Sequence, residues 1–505
     1  MLFNSYEFIF GFLPIALATL FIVGRFAPQL APAWLTLLSL FFYGWWKAKY
    51  LWLLVASVTV NFLIGRALAR ASAAGKPNKP LLVVGIAANL GLLGYFKYAG
   101  FFVHTIETVT GHPLGLAAIG LPIGISFFTF TQIAYLVDAH RGLAREYDFF
   151  RYSLFVTYFP HLIAGPILHH REMMPQFRRG AFRFTGLDLS VGGALFIIGL
   201  AKKVLFADSI APVADGIFSH AGDMHLTIAE AWTGALAYTL QIYFDFSGYS
   251  DMALGLSRMI GVRMPLNFNS PYKAANIIEF WRRWHMTLSR FLRDYLYFPL
   301  GGNRRGRPRR YANLMITMAL GGLWHGAAWT FVLWGALHGA YLCINHAWRA
   351  LRSGKVVGRA ERAAGWAVTF LAVTAAWVFF RAESFGGALS ILHAMGGGNG
   401  IALPAKLVPL LPRFAFLDAG GMFQHGLIDP VWALPLTAAL LAIAFGLPNS
   451  QEIMARYRPA FQNVAAAAAA WRWRPTPAWG VALGILLAAC LTLVGGPSPF
   501  LYFRF

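Results

Sequence analysis

The sequence predicts an all-α, polytopic membrane protein of roughly eleven to thirteen spanning helices with additional re-entrant and amphipathic helices. Three observations carry this. The 505 residues are 58% hydrophobic and 12% charged, where soluble domains carry about 25% charge, and the mean hydropathy is +0.56. Uncharged apolar runs recur from end to end. The basic residues that give the net charge of +22 (42 Lys and Arg against 20 Asp and Glu) cluster in short connections between those runs. That is the pattern of loops facing anionic lipid, not of a nucleic-acid-binding domain.

The runs cover residues 8–24, 30–46, 51–65, 81–96, 114–137, 152–168, 189–201, 231–244, 312–337, 363–380, 431–449 and 477–503. A span needs about 20 residues, so the shorter runs predict partial or re-entrant segments. The residues before the first run, Met1 to Glu7, contain no basic n-region, so that run reads as a retained span. Arg66, Arg70, Lys76 and Lys79 join the third and fourth runs, and Arg304, Arg305, Arg307, Arg309 and Arg310 precede the ninth. Both loops are expected in the cytoplasm, which puts the N-terminus outside.

Two stretches break the helical pattern. Leu121-Pro122-Ile123-Gly124-Ile125-Ser126 and Phe159-Pro160-His161-Leu162-Ile163-Ala164-Gly165-Pro166 place proline and glycine inside apolar runs. Irregular backbone at membrane depth is tolerated where it is buried in protein or lines a wet cavity. A cavity lining is expected here, with ordinary proline kinks as the alternative. Residues 396–426 read as a Gly- and Pro-rich loop or interfacial segment, and the alanine tract 465–470 as a surface helix.

Gly321-Gly322-Leu323-Trp324-His325-Gly326 lies inside the ninth run. An ionisable side chain at that depth is a functional hypothesis by default. The flanking glycines let a second helix or a substrate approach closely. The alternative is a histidine satisfied by a neighbouring helix. Upstream, residues 276–297 read as one amphipathic helix, opened by Asn276 with Glu279 three positions on. At about 100° per residue, Trp281, Trp284, His285, Leu288, Leu292 and Tyr295 share one face. Glu279, Arg282, Arg283, Arg290, Arg293 and Asp294 share the other. His285 and His325 are 40 positions apart (325 − 285), and two helices meeting through the basic loop would bring both imidazoles to one point. Such a pair suits general acid–base chemistry; interhelical hydrogen bonding is the structural alternative.

Asp245, directly after an apolar run, is expected to be a helix-end carboxylate paired with an arginine. His169, His170 and Glu172 read as a solvated loop after Pro166 and not as metal ligands. Cys343 and Cys490 offer neither a disulfide framework nor a thiolate metal site, and no metal site is assigned. No phosphate-cradling glycine loop, His-Glu-x-x-His helix or Gly-x-Ser-x-Gly elbow is found in the sequence.

Trp281-Arg282-Arg283-Trp284-His285-Met286-Thr287-Leu288-Ser289, Phe291-Leu292-Arg293-Asp294-Tyr295, Gly301-Gly302-Asn303-Arg304 and Gly322-Leu323-Trp324-His325-Gly326 resemble the membrane-bound O-acyltransferases. The bacterial branch that includes the alginate O-acetylation membrane protein is the closer resemblance. Gly94-Tyr95-Phe96-Lys97-Tyr98, the 159–166 stretch and Tyr243-Phe244-Asp245-Phe246-Ser247-Gly248-Tyr249-Ser250-Asp251-Met252 match that branch too. The resemblance covers residues 1–381 and thins to hydropathy over 382–505. It implies a single integral-membrane domain over 1–505 whose helices enclose a reaction chamber. It makes His325 the catalytic histidine and His285 its partner. Trp281, Trp284, Arg293, Asp294, Asn303 and Trp324 stand in the same motifs as candidate substrate-binding residues.

The resemblance further implies a multi-pass protein of the bacterial inner membrane, with no bound cofactor and acetyl-CoA as cytoplasmic donor. Its implied partners are a periplasmic hydrolase-like acetyltransferase, an exported polysaccharide and membrane lipid. On the same scaffold the alternatives are D-alanyl transfer to teichoic acid and acetylation of peptidoglycan or cellulose. Outside the family a secondary transporter is the alternative. It would be expected to show inverted repeats with matching broken helices, which the sequence lacks.

Overall fold

The computed structural model describes residues 1–117, 119–146, 148–178, 185–352, 357–400, 423, 425–494, 498 and 500–501. Those residues form helices joined by turns, with no strand among them. Among the described residues, five helices are long and apolar enough to cross a membrane: Glu7–Phe26, Pro28–Ala73, Lys79–Thr110, Gly186–Ser219 and Arg359–Arg381. Pro430–Gly446 and Ser450–Tyr457 pass the same test only when taken together, with a bend of 47° between them. The other expected spans fold as shorter, broken or more polar helices. The protein is an all-α polytopic membrane protein. The chain divides into two compact units.

The first unit comprises Met1–Ala201, Gly248–Asn267 and Ser450–Arg504. Glycine sets its tightest approach. A Cβ at Gly192 would lie 2.5 Å from the Gly255 carbonyl oxygen, and one at Gly255 would lie 2.6 Å from that of Gly192. The backbones of the Gly186–Ala201 helix and residues 248–259 therefore touch directly, as membrane helices do at small residues. Some buried polar groups are paired inside the unit. Asn61 and Asn89 exchange amide hydrogen bonds of 2.6 and 3.2 Å. Arg258 meets Asp188 at 2.6 Å, and Gln451 donates to Asp251 at 2.9 Å.

The breaks expected at the two proline- and glycine-containing stretches are present, and other expectations are corrected. The 114–137 run is not one helix: Gly124 adopts φ 72°, and the helix begins behind it as Ile125–His140. The 152–168 run also breaks, into Phe149–Thr157 and Phe159–Leu162. The two breaks meet each other, since a Cβ on Gly124 would lie 2.8 Å from the Leu162 carbonyl oxygen. His169 and His170 are buried instead of lying in a solvated loop. His170 opens the His170–Arg178 helix, its ring 5.2 Å from Tyr135 and 5.6 Å from Phe155. The alanine tract forms no surface helix: it is irregular up to a single 3₁₀ turn at Ala469–Trp471. Most of the 396–426 segment lies outside the described residues.

The second unit comprises Lys202–Ser247 and Phe268–Asn449. Its centre is a hairpin of the Gly306–His325 and Trp329–Leu351 helices. A Cβ on Gly322 would overlap the Phe331 carbonyl, and one on Gly335 would overlap that of Met318. The expected close approach at the glycines is thus between the two arms of the hairpin. Residues 312–337 are accordingly not one span. The helix stops at His325, and Gly326 and Ala328 are extended before the return helix begins. The arginines at the other end, Arg304 to Arg309, are exposed.

Asp245 is not a helix-end carboxylate. It lies within the Ile228–Met259 helix and meets Lys203 at 2.7 Å, while Asp208 meets the same lysine at 2.8 Å. An unpaired charge at this burial would be costly, and the lysine sits between two carboxylates.

Candidate active site

The amphipathic stretch that carries His285 starts as the sequence predicts. The Asn276 side chain accepts from the Glu279 amide at 3.0 Å, and Glu279 reaches back to the Ala275 amide at 3.0 Å. Glu279 also holds Arg283 at 2.7 Å. The single helix over 276–297 is not formed. Ile277–Trp281 ends after five residues, and a new helix, Met286–Leu292, starts behind His285. His285 stands at the break with φ 41° and ψ 53°. A left-handed backbone at a residue other than glycine is uncommon and costs about 1–3 kcal/mol. Such strain persists where the surroundings over-determine it, and it clusters at functional sites. The expected division of faces survives the break: Trp281, Trp284, His285, Leu288 and Leu292 are buried, and Arg282 and Arg293 are exposed.

The structure brings both motif histidines together. Their ring centroids are 6.2 Å apart, with planes at 64°. His285 is fully buried and His325 nearly so. Trp324 lies 6.1 Å from the His285 ring and 5.0 Å from that of His325. Phe246 meets His285 edge-on at 4.8 Å. Trp334 and Phe380 close on His325 at 5.2 and 5.3 Å. Trp284 joins this wall through Trp377 at 4.9 Å, and Trp281 through Trp334 at 5.9 Å. In such apolar surroundings, electrostatic and hydrogen-bonding interactions are stronger than in water.

Three candidates lie elsewhere. Arg293 and Asp294 pair with each other at 2.7 Å, with the Arg293 side chain 56% exposed, and Asn303 is exposed. Their contacts are local: Arg293 also lies over the Phe298 ring at 5.9 Å.

Residues missed in the sequence complete the enclosure: Phe246, Trp334, Trp377, Phe380 and a third histidine, His338. His338 is fully buried, and its Nδ1 accepts from the Trp281 indole N–H at 3.3 Å. A signal for it existed. Trp334-Gly335-Ala336-Leu337-His338-Gly339 places a second His-Gly pair 13 positions (338 − 325) after the first. Among the described residues no group of three His, Cys, Asp or Glu side chains is placed to hold a metal ion.

Two imidazoles meeting within an aromatic enclosure can take and return a proton while holding a reacting group between them. Residues 17–383 match the model of the membrane-bound O-acyltransferase family. A peptidoglycan O-acetyltransferase of Helicobacter pylori is 40% identical over 484 aligned residues, covering 90% of each chain. A probable alginate O-acetylase of Azotobacter vinelandii is 39% identical over 525, covering both chains in full. A teichoic acid D-alanyltransferase of Streptococcus thermophilus is 28% identical over 257, covering 48% of this chain and 60% of that one. With the family matched over most of its length and the histidine pair in place, the chain belongs to the membrane-bound O-acyltransferases and is an O-acyltransferase of the membrane.

Proposed function

We propose that this enzyme takes an acetyl group from cytoplasmic acetyl-CoA and passes it across the bacterial inner membrane for O-acetylation of an exported polysaccharide, alginate-like or cellulose-like. A periplasmic hydrolase-like acetyltransferase is its proposed partner. The observation that supports this is the pair of buried imidazoles 6.2 Å apart at the tip of the hairpin. In the proposed step His325 takes the proton of an acceptor hydroxyl. The oxygen attacks the acetyl thioester carbonyl, the carbon–sulfur bond breaks, and the thiolate leaves and recovers the proton. His285 holds the reacting group beside it. Trp281, Trp284 and Trp324 shape the enclosure. Arg293, Asp294 and Asn303 keep the lesser role of meeting substrate at the exposed surface.

The test is acetyl transfer by purified enzyme from labelled acetyl-CoA, compared with His325→Ala. Transfer lost only in the variant supports the reading; no use of acetyl-CoA by the wild type overturns the donor. The 40% identity to a peptidoglycan O-acetyltransferase favours peptidoglycan as a second acceptor. Acetyl content of the cell wall against that of exported polysaccharide, in cells with and without the gene, separates the two. The sidedness has its own test. A cysteine at Gly306, at the exposed start of the Gly306–His325 helix, is expected to resist an impermeant thiol reagent applied to intact cells. Labelling from outside would reverse the orientation.

A further inference from the structure

The third histidine has its hydrogen bonding fixed by a neighbour. The Trp281 indole only donates, so its 3.3 Å bond to His338 Nδ1 requires that nitrogen to be unprotonated. The ring is then neutral with its proton on Nε2. His338 is fully buried, and Nε2 has no hydrogen-bond partner among the described residues. A buried donor left unpaired is costly.

Its position says what could meet it. Trp334 lies 4.7 Å from the His338 ring and 5.2 Å from that of His325, so His338 is one ring removed from the proposed chemistry. On its other side His338 touches Tyr341 at 5.7 Å. Tyr341 lines a cleft of about 850 Å³ with Asn345, Trp348, Arg349, Arg352 and Arg362. Three guanidiniums against one carboxylate, Glu361, make the cleft basic. The Asn345 Oδ1 is buried and has no partner among the described residues. At 1.5 Å per residue, Asn345 lies roughly 10 Å along the helix from His338, and Arg349 and Arg352 roughly 16 and 21 Å. In order, the helix offers a basic cleft, an open acceptor, an open donor and then the histidine pair.

We propose that His338 Nε2–H holds the carbonyl oxygen of the amide nearest the sulfur in the acyl donor's thioester arm. Asn345 Oδ1 accepts from an amide N–H further along that arm, and the cleft arginines take its phosphates. The inference rests on the thioester-donor reading above. An arm with phosphate and amides is common to coenzyme A and acyl carrier proteins, and the experiment distinguishes them.

Three proteins are compared: wild type, His338→Phe, which fills the space without a donor, and His338→Gln, which can both accept from Trp281 and donate. Each is given acetyl-CoA and an analogue whose amide nearest the sulfur is replaced by two methylenes. His338→Phe should lower kcat/KM for acetyl-CoA by roughly 10- to 100-fold, His338→Gln should recover most of it, and the wild type should lose a similar factor on the analogue. His338→Phe should cost nothing further on the analogue. Equal losses on both donors mean a packing role and overturn the proposal, as does no loss on either. Should His338→Phe fail to fold, Trp281→Phe frees the ring to move its proton to Nδ1. That variant should discriminate less between the two donors, and unchanged discrimination overturns the proposal. If the wild type uses an acetylated carrier protein and not acetyl-CoA, the source is the carrier protein and His338→Phe should show its loss there. If it uses neither, the thioester reading fails and the inference fails with it.

Discussion

His161 and His325 are both histidines buried in apolar runs, at 1% and 4% exposure, yet they sit in different chemistry. His161 lies in the four-residue Phe159–Leu162 helix, where its Nε2 donates to the Phe155 carbonyl at 3.1 Å, six positions back. Its proton is used up locally by the backbone. His325 faces a second imidazole and a wall of aromatic rings at the end of a helix. Depth and burial therefore do not by themselves mark a functional histidine. On the proposed mechanism, what distinguishes His325 is what its ring is left to face.

The sharpest way to break that contrast is at His325. His325→Ala is expected to lower acetyl transfer by about 10³-fold or more while membrane insertion, read by immunoblot of the membrane fraction, is unchanged. His325→Gln, similar in size but no base, should be nearly as inactive. A glutamine variant close to the normal rate would reduce His325 to a positioning group. His285→Ala comes next, at about 10²-fold. His285→Gly suits the left-handed backbone better than alanine does, so the two variants separate ring from backbone. Equal losses assign the effect to the imidazole, and recovery of rate with glycine would assign it to the strained backbone.

The other side of the contrast predicts smaller effects. His161→Leu should leave turnover within about twofold while costing about 1 kcal/mol of stability through its lost hydrogen bond. Thermal unfolding alongside the transfer assay checks both, and a large rate loss with normal stability would erase the distinction. Smallest is Arg293→Ala. Exposed ion pairs contribute about 0–1 kcal/mol, and activity should stay within about threefold. A loss beyond tenfold would show that the arginine's role is more than the lesser, surface one proposed for it.

The histidine pair was legible because its motifs lie in two recognisable segments, and the Asn276–Glu279 start was legible because capping is a local rule. The break at His285 was not. Residues 277–297 contain no glycine or proline to announce it, and the helical wheel alone gives a plausible continuous face. The buried set survived because the two short helices keep much the same rows of side chains. His338 was hidden by a boundary: the apolar run was ended at Leu337 because a histidine follows, although that histidine is fully buried. The Lys203 contact of Asp245 was not legible, because Lys203 lies far back in the chain and such pairing depends on tertiary structure that local pattern does not carry.

That lysine also constrains how the chain is made. Lys203 and Asp245 are 42 positions apart (245 − 203), which at about 5–20 residues per second separates their synthesis by roughly 2–8 s. Asp208 follows Lys203 by only five positions, meets it at 2.8 Å, and keeps 28% of its side chain exposed against 3% for Asp245. The nearer carboxylate can neutralise the lysine almost as soon as it emerges, and the distant one completes the pair once the Ile228–Met259 helix arrives. Until that helix is made, Asp208 is the carboxylate within reach that can spare the lysine an unpaired charge.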